Sequence, residues 1–241
     1  MDGGRMDLSV ILPTYNERKN IVKVITDLDA FFKSEKLETE LIVVDDSSPD
    51  GTADEVRKLQ QKYLNLVLVA DHPKQGIGKA LERGYDAARG DWLLSMDADW
   101  AFETGEIKRF LDAREKGFDF ITGSKYLALS VYKKKTLELQ IKSSISKYGM
   151  KYIRFVSGLS LNDFSSNFRL FRKEVWRAIR PSDPQNFFLV EMLIQAHRKG
   201  FKITEVPVTL SPRHHGESKT RVWDQTVKFF LKTTAYLFSR K

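Results

Sequence analysis

Apolar and polar positions follow two rhythms along the first 125 residues. Short runs rich in β-branched residues, Leu8–Leu12, Glu40–Val44, Leu66–Ala70, Trp92–Met96 and Asp119–Gly123, read as strands. Between them apolar residues return every three or four positions. Ile21, Val24, Ile25, Leu28, Phe31 and Phe32 mark a helix over Glu17–Phe32. Further helices are predicted from Asp50 or Gly51 to Tyr63, over Ile77–Arg89 and over about Thr104–Lys116. This alternation predicts an α/β fold with a Rossmann-like, mostly parallel sheet flanked by helices. Two of the strands run straight into acids, Asp45-Asp46-Ser47-Ser48-Pro49 and Asp97-Ala98-Asp99. Ligands of open α/β sheets bind just beyond strand carboxyl ends, so these acids are the first candidates for chemistry.

After residue 125 the rhythm changes. Val131 to Arg154 holds seven Lys or Arg against one acid, Glu138. On a helical wheel Ile141, Ile145, Tyr148, Tyr152 and Phe155 form one stripe, with Lys142, Lys147, Lys151 and Arg154 on the flanks and back, so a basic amphipathic helix is expected. Helices near Lys173–Ile179 and Phe188–Lys199, a strand over Lys202–Val208 and an amphipathic helix from about Val222 complete the reading. Without repeats or low-complexity linkers, the expected organisation is one domain over 1–221, including the basic segment 131–156, and a C-terminal amphipathic helix over 222–241.

Composition narrows the classes. The 241 residues contain no Cys, which excludes a disulfide framework, a thiolate metal site and a cysteine nucleophile. Forty Lys and Arg against thirty-two Asp and Glu give a net charge of +8, which favours polyanionic partners. Met1–Asp7 lacks the apolar core of a signal peptide, and no stretch reaches the roughly 18 apolar residues of a spanning helix. The expectation is a chain that is not exported and that, if it meets a membrane, lies on its cytoplasmic side.

Asp97-Ala98-Asp99 places two carboxylates at the end of a buried strand, which is costly unless a cation or hydrogen bonds compensate them. Hard oxygen ligands suit Mg²⁺ or Mn²⁺, with a bound diphosphate completing the shell. The alternative is an Asp that caps the following helix. The companions of this triplet come in a telling order: Pro13-Thr14-Tyr15-Asn16-Glu17, Val43-Val44-Asp45-Asp46-Ser47-Ser48-Pro49-Asp50-Gly51-Thr52 and Gly76-Ile77-Gly78-Lys79-Ala80 precede it. Gly123-Ser124-Lys125-Tyr126, Asp163 to Arg169, Glu205-Val206-Pro207-Val208 and Arg213 to Lys219 follow it. Over residues 7 to 221 the chain resembles family 2 glycosyltransferases of the GT-A fold, and among them the dolichol-phosphate mannose synthase group.

The resemblance implies inverting transfer of mannose from GDP-mannose to a dolichyl or other polyprenyl phosphate. It implies that Pro13, Tyr15, Glu17, Val44 and Asp46 surround the guanosine, and that Asp97 and Asp99 hold Mg²⁺ or Mn²⁺ against the diphosphate while Ala98 adds a backbone contact. Lys125, Arg213 and Lys219 would be the cations around the phosphates, with Asp97, Asp99, Lys125 and Arg213 acting on the reaction itself. No general base is required, because a phosphomonoester with a second pKa near about 6 arrives already ionised. Asp163 and Glu191 then read as orienting groups. His214 and His215 are adjacent, which is poor geometry for one metal ion, and read as loop residues near the phosphates. The basic segment fits a lipid acceptor and a membrane surface, and the C-terminal helix fits the membrane or a small membrane-spanning partner.

Three positions depart from the family pattern. Ala101 stands where a further metal-ligating Gln is frequent, Lys125 where Arg is usual, and Asn167 where Gly is usual, which leads us to expect a left-handed turn at Asn167. The rival readings are a UDP-glucose-dependent transferase acting on the same class of acceptor and, more remotely, a nucleic-acid binder. The acids at the strand ends would repel a nucleic acid, so none is expected as a partner.

Overall fold

The computed structural model describes residues 6–70, 72–99, 104–127, 149–209 and 231–236. In chain order the elements are β1 (Leu8–Thr14), α1 (Arg18–Ser34), β2 (Thr39–Asp45), α2 (Thr52–Gln60), β3 (Leu66–Val69), α3 (Ile77–Ala87) and β4 (Trp92–Ser95). A 3-10 turn, Thr104–Glu106, leads into α4 (Ile107–Glu115), followed by β5 (Phe120–Ser124) and a helical stretch over 149–157, here α5. Next come β6 (Arg169–Arg172), α6 (Lys173–Ala178), α7 (Phe187–Arg198), β7 (Ile203–Pro207) and a last described helical stretch over 231–236, α8.

The predicted strand–helix alternation holds, with boundaries shifted by up to three residues. One strand was missed. The seven strands lie in the order β3-β2-β1-β4-β6-β5-β7, and β6 runs antiparallel to both β4 and β5. It wedges between two strands that are consecutive among the predicted ones. Its four residues, Arg169-Leu170-Phe171-Arg172, carry only two apolar side chains between arginines, too little periodicity to read as a strand. All the other pairings are parallel, so the mostly parallel sheet stands.

Alternation along the strands divides the core between the two sheet faces. Val10, Leu12, Leu41, Val43 and Leu94 pack with Ile21, Val24, Ile25 and Leu28 of α1 and with Phe110 of α4. Ile11, Ile42, Val44 and Leu93 pack on the other face with Leu81 and Tyr85 of α3, Val175 of α6 and the apolar residues of α7. The sheet is therefore covered by helices on both sides, and its strand ends are left to form a site.

The register puts those ends side by side. Thr14 of β1 lies opposite Asp45 of β2, and Ile11 lies opposite Ser95 of β4. Because the three strands are parallel, the segments that follow them, Tyr15–Glu17, Asp46–Ser48 and Met96–Asp99, all leave on the same edge. Loop 183–185 closes this edge from the side of α7. Its approach to α3 needs glycine: a Cβ on Gly78 would stand 2.2 Å from the Asp183 carbonyl oxygen, and the Gly78 amide donates to the Pro184 carbonyl at 3.0 Å.

Of the basic segment, only 149–156 lies within the described residues, and there the core takes residues outside the expected stripe. Met150 and Ile153 are buried in the core, Tyr152 is half-buried, and Phe155 is 86% exposed. The face that packs is thus offset from the one drawn on the wheel. Residues 231–236 dock on the domain: the Tyr152 and Thr234 hydroxyls are 2.6 Å apart, Gln195 donates to the Tyr236 hydroxyl at 2.8 Å, and Lys232 pairs with Asp183.

Candidate active site at the strand ends

A cleft of about 270 Å³ opens where β1, β2 and β4 end. It is lined by Pro13, Thr14, Tyr15, Glu17, Asp46, Asp97, Ala98 and Asp99, together with Ile77 and Ala80 of α3 and Asn186 at the start of α7. Seven of the residues singled out in the sequence meet here. Val44 does not: it is fully buried in the core beneath Ile11 and Ile42, because its strand position points it into the sheet's helical cover.

Two neighbouring acids at the end of β2 have different tasks. Asp45 accepts from the Thr14 hydroxyl at 3.0 Å, the Ser48 amide at 2.9 Å and the Ser48 hydroxyl at 2.5 Å, so its carboxylate shapes the turn. Asp46 reaches across the cleft wall and accepts from the amides of Gln75 and Gly76, at 3.0 and 2.9 Å. It thereby fixes the entry to α3. Two non-glycine residues in the left-handed region, Asn16 (φ 65°) and Ser47 (φ 61°), flank this wall, and the Asn16 amide donates to the Ser48 hydroxyl. Such backbone concentrates where loops are shaped for a ligand.

Tyr15, 37% exposed, carries Lys74 over its ring, with the ammonium 3.2 Å from the centroid. Glu17 lines the cleft while its carboxylate accepts from Asn20 at 2.7 Å and its amide donates to the Thr52 hydroxyl. One side of the cleft thus offers an aromatic face, a cation and carboxylates, a set suited to a nucleoside.

On the opposite side Asp97 is half-buried and Asp99 is 6% exposed. Among the described residues no cluster of three or more His, Cys, Asp or Glu gathers to enclose a metal. Two carboxylates with room beside them fit a divalent ion that keeps waters or takes oxygens from a bound phosphate, so the donor set suits Mg²⁺ or Mn²⁺. Asn167 donates through Nδ2 to Asp97 Oδ1 at 3.0 Å. The expected left-handed turn at Asn167 is absent: the positive-φ non-glycine residues described are Asn16, Lys36 and Ser47, so asparagine serves here through its side chain.

Lys125 follows β5. Its ammonium is 3.2 Å from the Asp163 carboxylate and donates to the Ser165 hydroxyl at 3.2 Å. Asp163 is therefore the ion-pair partner of Lys125. Its own loop is held by Glu205 of β7, which accepts from the amides of Asn162 and Asp163 and from the Asn162 side chain, and whose carboxyl is pushed upward in pKa by burial. Glu191 instead accepts from the amides of Ser182 and Asp183 at 2.6 and 2.8 Å, and so anchors the loop that packs on Gly78.

Sequence reasoning missed Asn186, Lys74 and the Asn167–Asp97 contact, and gave Ile77 and Ala80 no role beyond their place in the quoted glycine motif. Asn186 precedes a long apolar helix, a neighbourhood that does not signal a cleft. Arg213, Lys219, His214, His215 and Ala101 lie outside the described residues.

The sequence matches the model of glycosyl transferase family 2 over residues 9–180. Polyprenol monophosphomannose synthase of Mycolicibacterium smegmatis is 32% identical over 219 residues, 87% of this chain and 79% of that protein. Dolichol-phosphate mannosyltransferase of Pyrococcus furiosus is 32% identical over 220 residues, 90% of this chain but 60% of that longer protein. Among solved structures, glucosyl-3-phosphoglycerate synthase of Mycobacterium tuberculosis with Mn²⁺ and UDP-glucose superimposes with a TM-score of 0.69 at 21% identity, over 98% of this chain and 79% of its own. The same enzyme with Mg²⁺ and UDP gives 0.67 at 21%, with the same coverage. At that identity the likeness establishes the fold, which is GT-A. With the family match covering every strand that feeds the cleft, this chain belongs to glycosyl transferase family 2 and is a glycosyltransferase.

Proposed function

We propose that this chain transfers mannose from GDP-mannose to dolichyl or another polyprenyl phosphate, with inversion at the anomeric carbon. The observation that carries the reading is the single cleft in which Tyr15 and Asp46 stand on one side and Asp97 and Asp99 on the other. That spacing suits a nucleoside followed by its diphosphate. The acceptor class and the sugar rest on the two relatives that share 32% identity and are named for mannosyl transfer to polyprenyl phosphate.

In this reading Pro13, Tyr15, Glu17 and Asp46 receive the guanosine, and Asp97 and Asp99 hold Mg²⁺ or Mn²⁺ beside the diphosphate. When bound there, the ion would neutralise charge on the departing GDP. An oxygen of the lipid phosphate attacks the anomeric carbon and forms the new C–O bond while the bond to the diphosphate breaks and GDP leaves with its electron pair. Lys125, held by Asp163, and Arg213 and Lys219 place positive charge near the phosphates. Positioning and electrostatics then supply most of the rate, since the acceptor needs no deprotonation. Residues 1–221 form the catalytic domain and 222–241 an accessory helix. The chain works at the cytoplasmic face of a membrane, peripherally, with room for a small membrane-spanning partner.

A second reading, UDP-glucose as donor, is favoured by the structural neighbour that carries this nucleotide sugar. Transfer assays with labelled GDP-mannose and UDP-glucose onto a polyprenyl phosphate, beside calorimetry with GDP and UDP, decide between them. Mannose in the lipid fraction and tighter GDP binding are expected. Glucose transfer, or equal affinity for both nucleotides, rejects the guanosine assignment.

A further inference from the structure

Asn167 lies in the loop that leads into β6, and its amide group is 4% exposed. The Asp97 carboxylate can only accept, so the NH₂ end of Asn167 must face it, as the 3.0 Å contact records. The opposite end, Oδ1, is buried and has no hydrogen-bond partner. A buried acceptor left unpaired is costly, and a protein retains one where another function requires it. Here the requirement is next door, in a carboxylate that lines the cleft.

The main chain around this asparagine is fixed on both sides. Ser95 of β4 donates to the Asn167 carbonyl at 2.9 Å and receives a hydrogen bond from the Tyr85 hydroxyl, also at 2.9 Å. Burial pushes the Tyr85 pKa up to about 12, so this hydroxyl keeps its proton and remains a donor. Arg169, fully buried, donates to the carbonyls of Ser166, Phe164 and Leu189 at 2.6, 2.9 and 2.6 Å. The loop therefore presents the carboxamide from a rigid base, as a group that orients a metal ligand should be presented.

We propose that Asn167 is a positioning residue for the divalent cation. It holds one oxygen of Asp97 and so fixes the carboxylate that would ligate the cation. The inference rests on the divalent-cation reading of Asp97 and Asp99.

The test measures Mn²⁺ binding by the paramagnetic resonance signal of the free ion, in the presence of GDP, on the full chain and on Asn167→Leu and Asn167→Ala. Leucine keeps the volume and removes the hydrogen bond; alanine covers the case in which leucine does not fold. GDP affinity in chelator is measured in parallel by calorimetry. The expected result is a loss of Mn²⁺ affinity of about tenfold or more, the usual effect of removing a group that orients a ligand, with a much smaller change in metal-free GDP affinity. Unchanged Mn²⁺ affinity in both variants overturns the proposal. So does an equal loss of Mn²⁺ and metal-free GDP affinity, which would mean that Asn167 merely supports the loop. If the unmodified chain binds no Mn²⁺ with GDP present, the cation reading itself fails, a result distinct from the other two.

Discussion

Asp97, Asp99, Asp45 and Asp46 are acids at strand ends, yet their surroundings assign them unequal work. Asp45 has three donors, two from Ser48 of its own turn and one from Thr14 of β1, whereas Asp46 ties two amides of the α3 entrance to the cleft wall. Asp97 and Asp99 line the cleft opposite. In the proposed reading Asp99 holds the cation, and Asp99→Asn is then expected to cost about 3 kcal/mol of transition-state stabilisation, roughly a hundredfold in kcat/KM. Steady-state assays in chelator-treated and Mn²⁺-supplemented buffer check this. Equal turnover by wild type and variant in both would remove the cation from the mechanism. That these acids mattered was legible, because buried strand-end carboxylates need compensation. The division between Asp45 and Asp46 was not, since it depends on a loop thirty residues downstream.

Helix α3 and loop 183–185 fit together because Gly78 has no side chain. Gly78→Ala would drive a Cβ into backbone at 2.2 Å, and strain of this kind typically costs about 1–3 kcal/mol. A lowered thermal midpoint is expected, together with weaker nucleotide binding, because Ile77 and Ala80 of the same helix line the cleft. An unaltered midpoint would show that the loop yields without cost. β6 depends on Arg169, whose pKa is drawn down to about 10 by burial and whose guanidinium satisfies three carbonyls. Arg169→Met leaves those acceptors unpaired and should destabilise the fold by on the order of 3 kcal/mol or more in urea unfolding. A loss below about 1 kcal/mol would indicate that water replaces the guanidinium. An arginine so placed reads in the sequence as a surface or phosphate-binding residue, and only the surrounding carbonyls reveal its structural task.

The molecule as a whole is basic, and among the described residues no helix is long and apolar enough to cross a membrane. The segment between Val131 and Arg154 concentrates the positive charge. Each Lys or Arg near an anionic surface contributes about 1 kcal/mol, so reversing Lys142, Lys147 and Lys151 to Glu is expected to weaken binding to anionic vesicles by roughly a hundredfold at moderate salt. Vesicle sedimentation at two salt concentrations checks this, with GDP binding as the control. Retained vesicle binding would relocate the membrane contact. Of the expected lipid-facing stripe, Phe155 is exposed and Tyr152 half-buried, while the core takes Met150 and Ile153, which lie outside that stripe.

The α/β class, the parallel strands, the helices of the first 125 residues and the acids at two strand ends could all be read from residue order. Each leaves a local trace: period two or near 3.6, a β-branched run, a turn residue, a charge where burial begins. Folding alone brought Tyr15, Asp46, Asp97 and Asn186 to one cleft, inserted β6 between β4 and β5, sent Val44 into the core and set the Asn167 amide on Asp97. These depend on strand order and on the meeting of residues far apart in the chain, such as Tyr15 and Asn186 at one cleft, for which a chain carries no periodic signal. Their energies belong to pairs of groups that meet only after the sheet has closed.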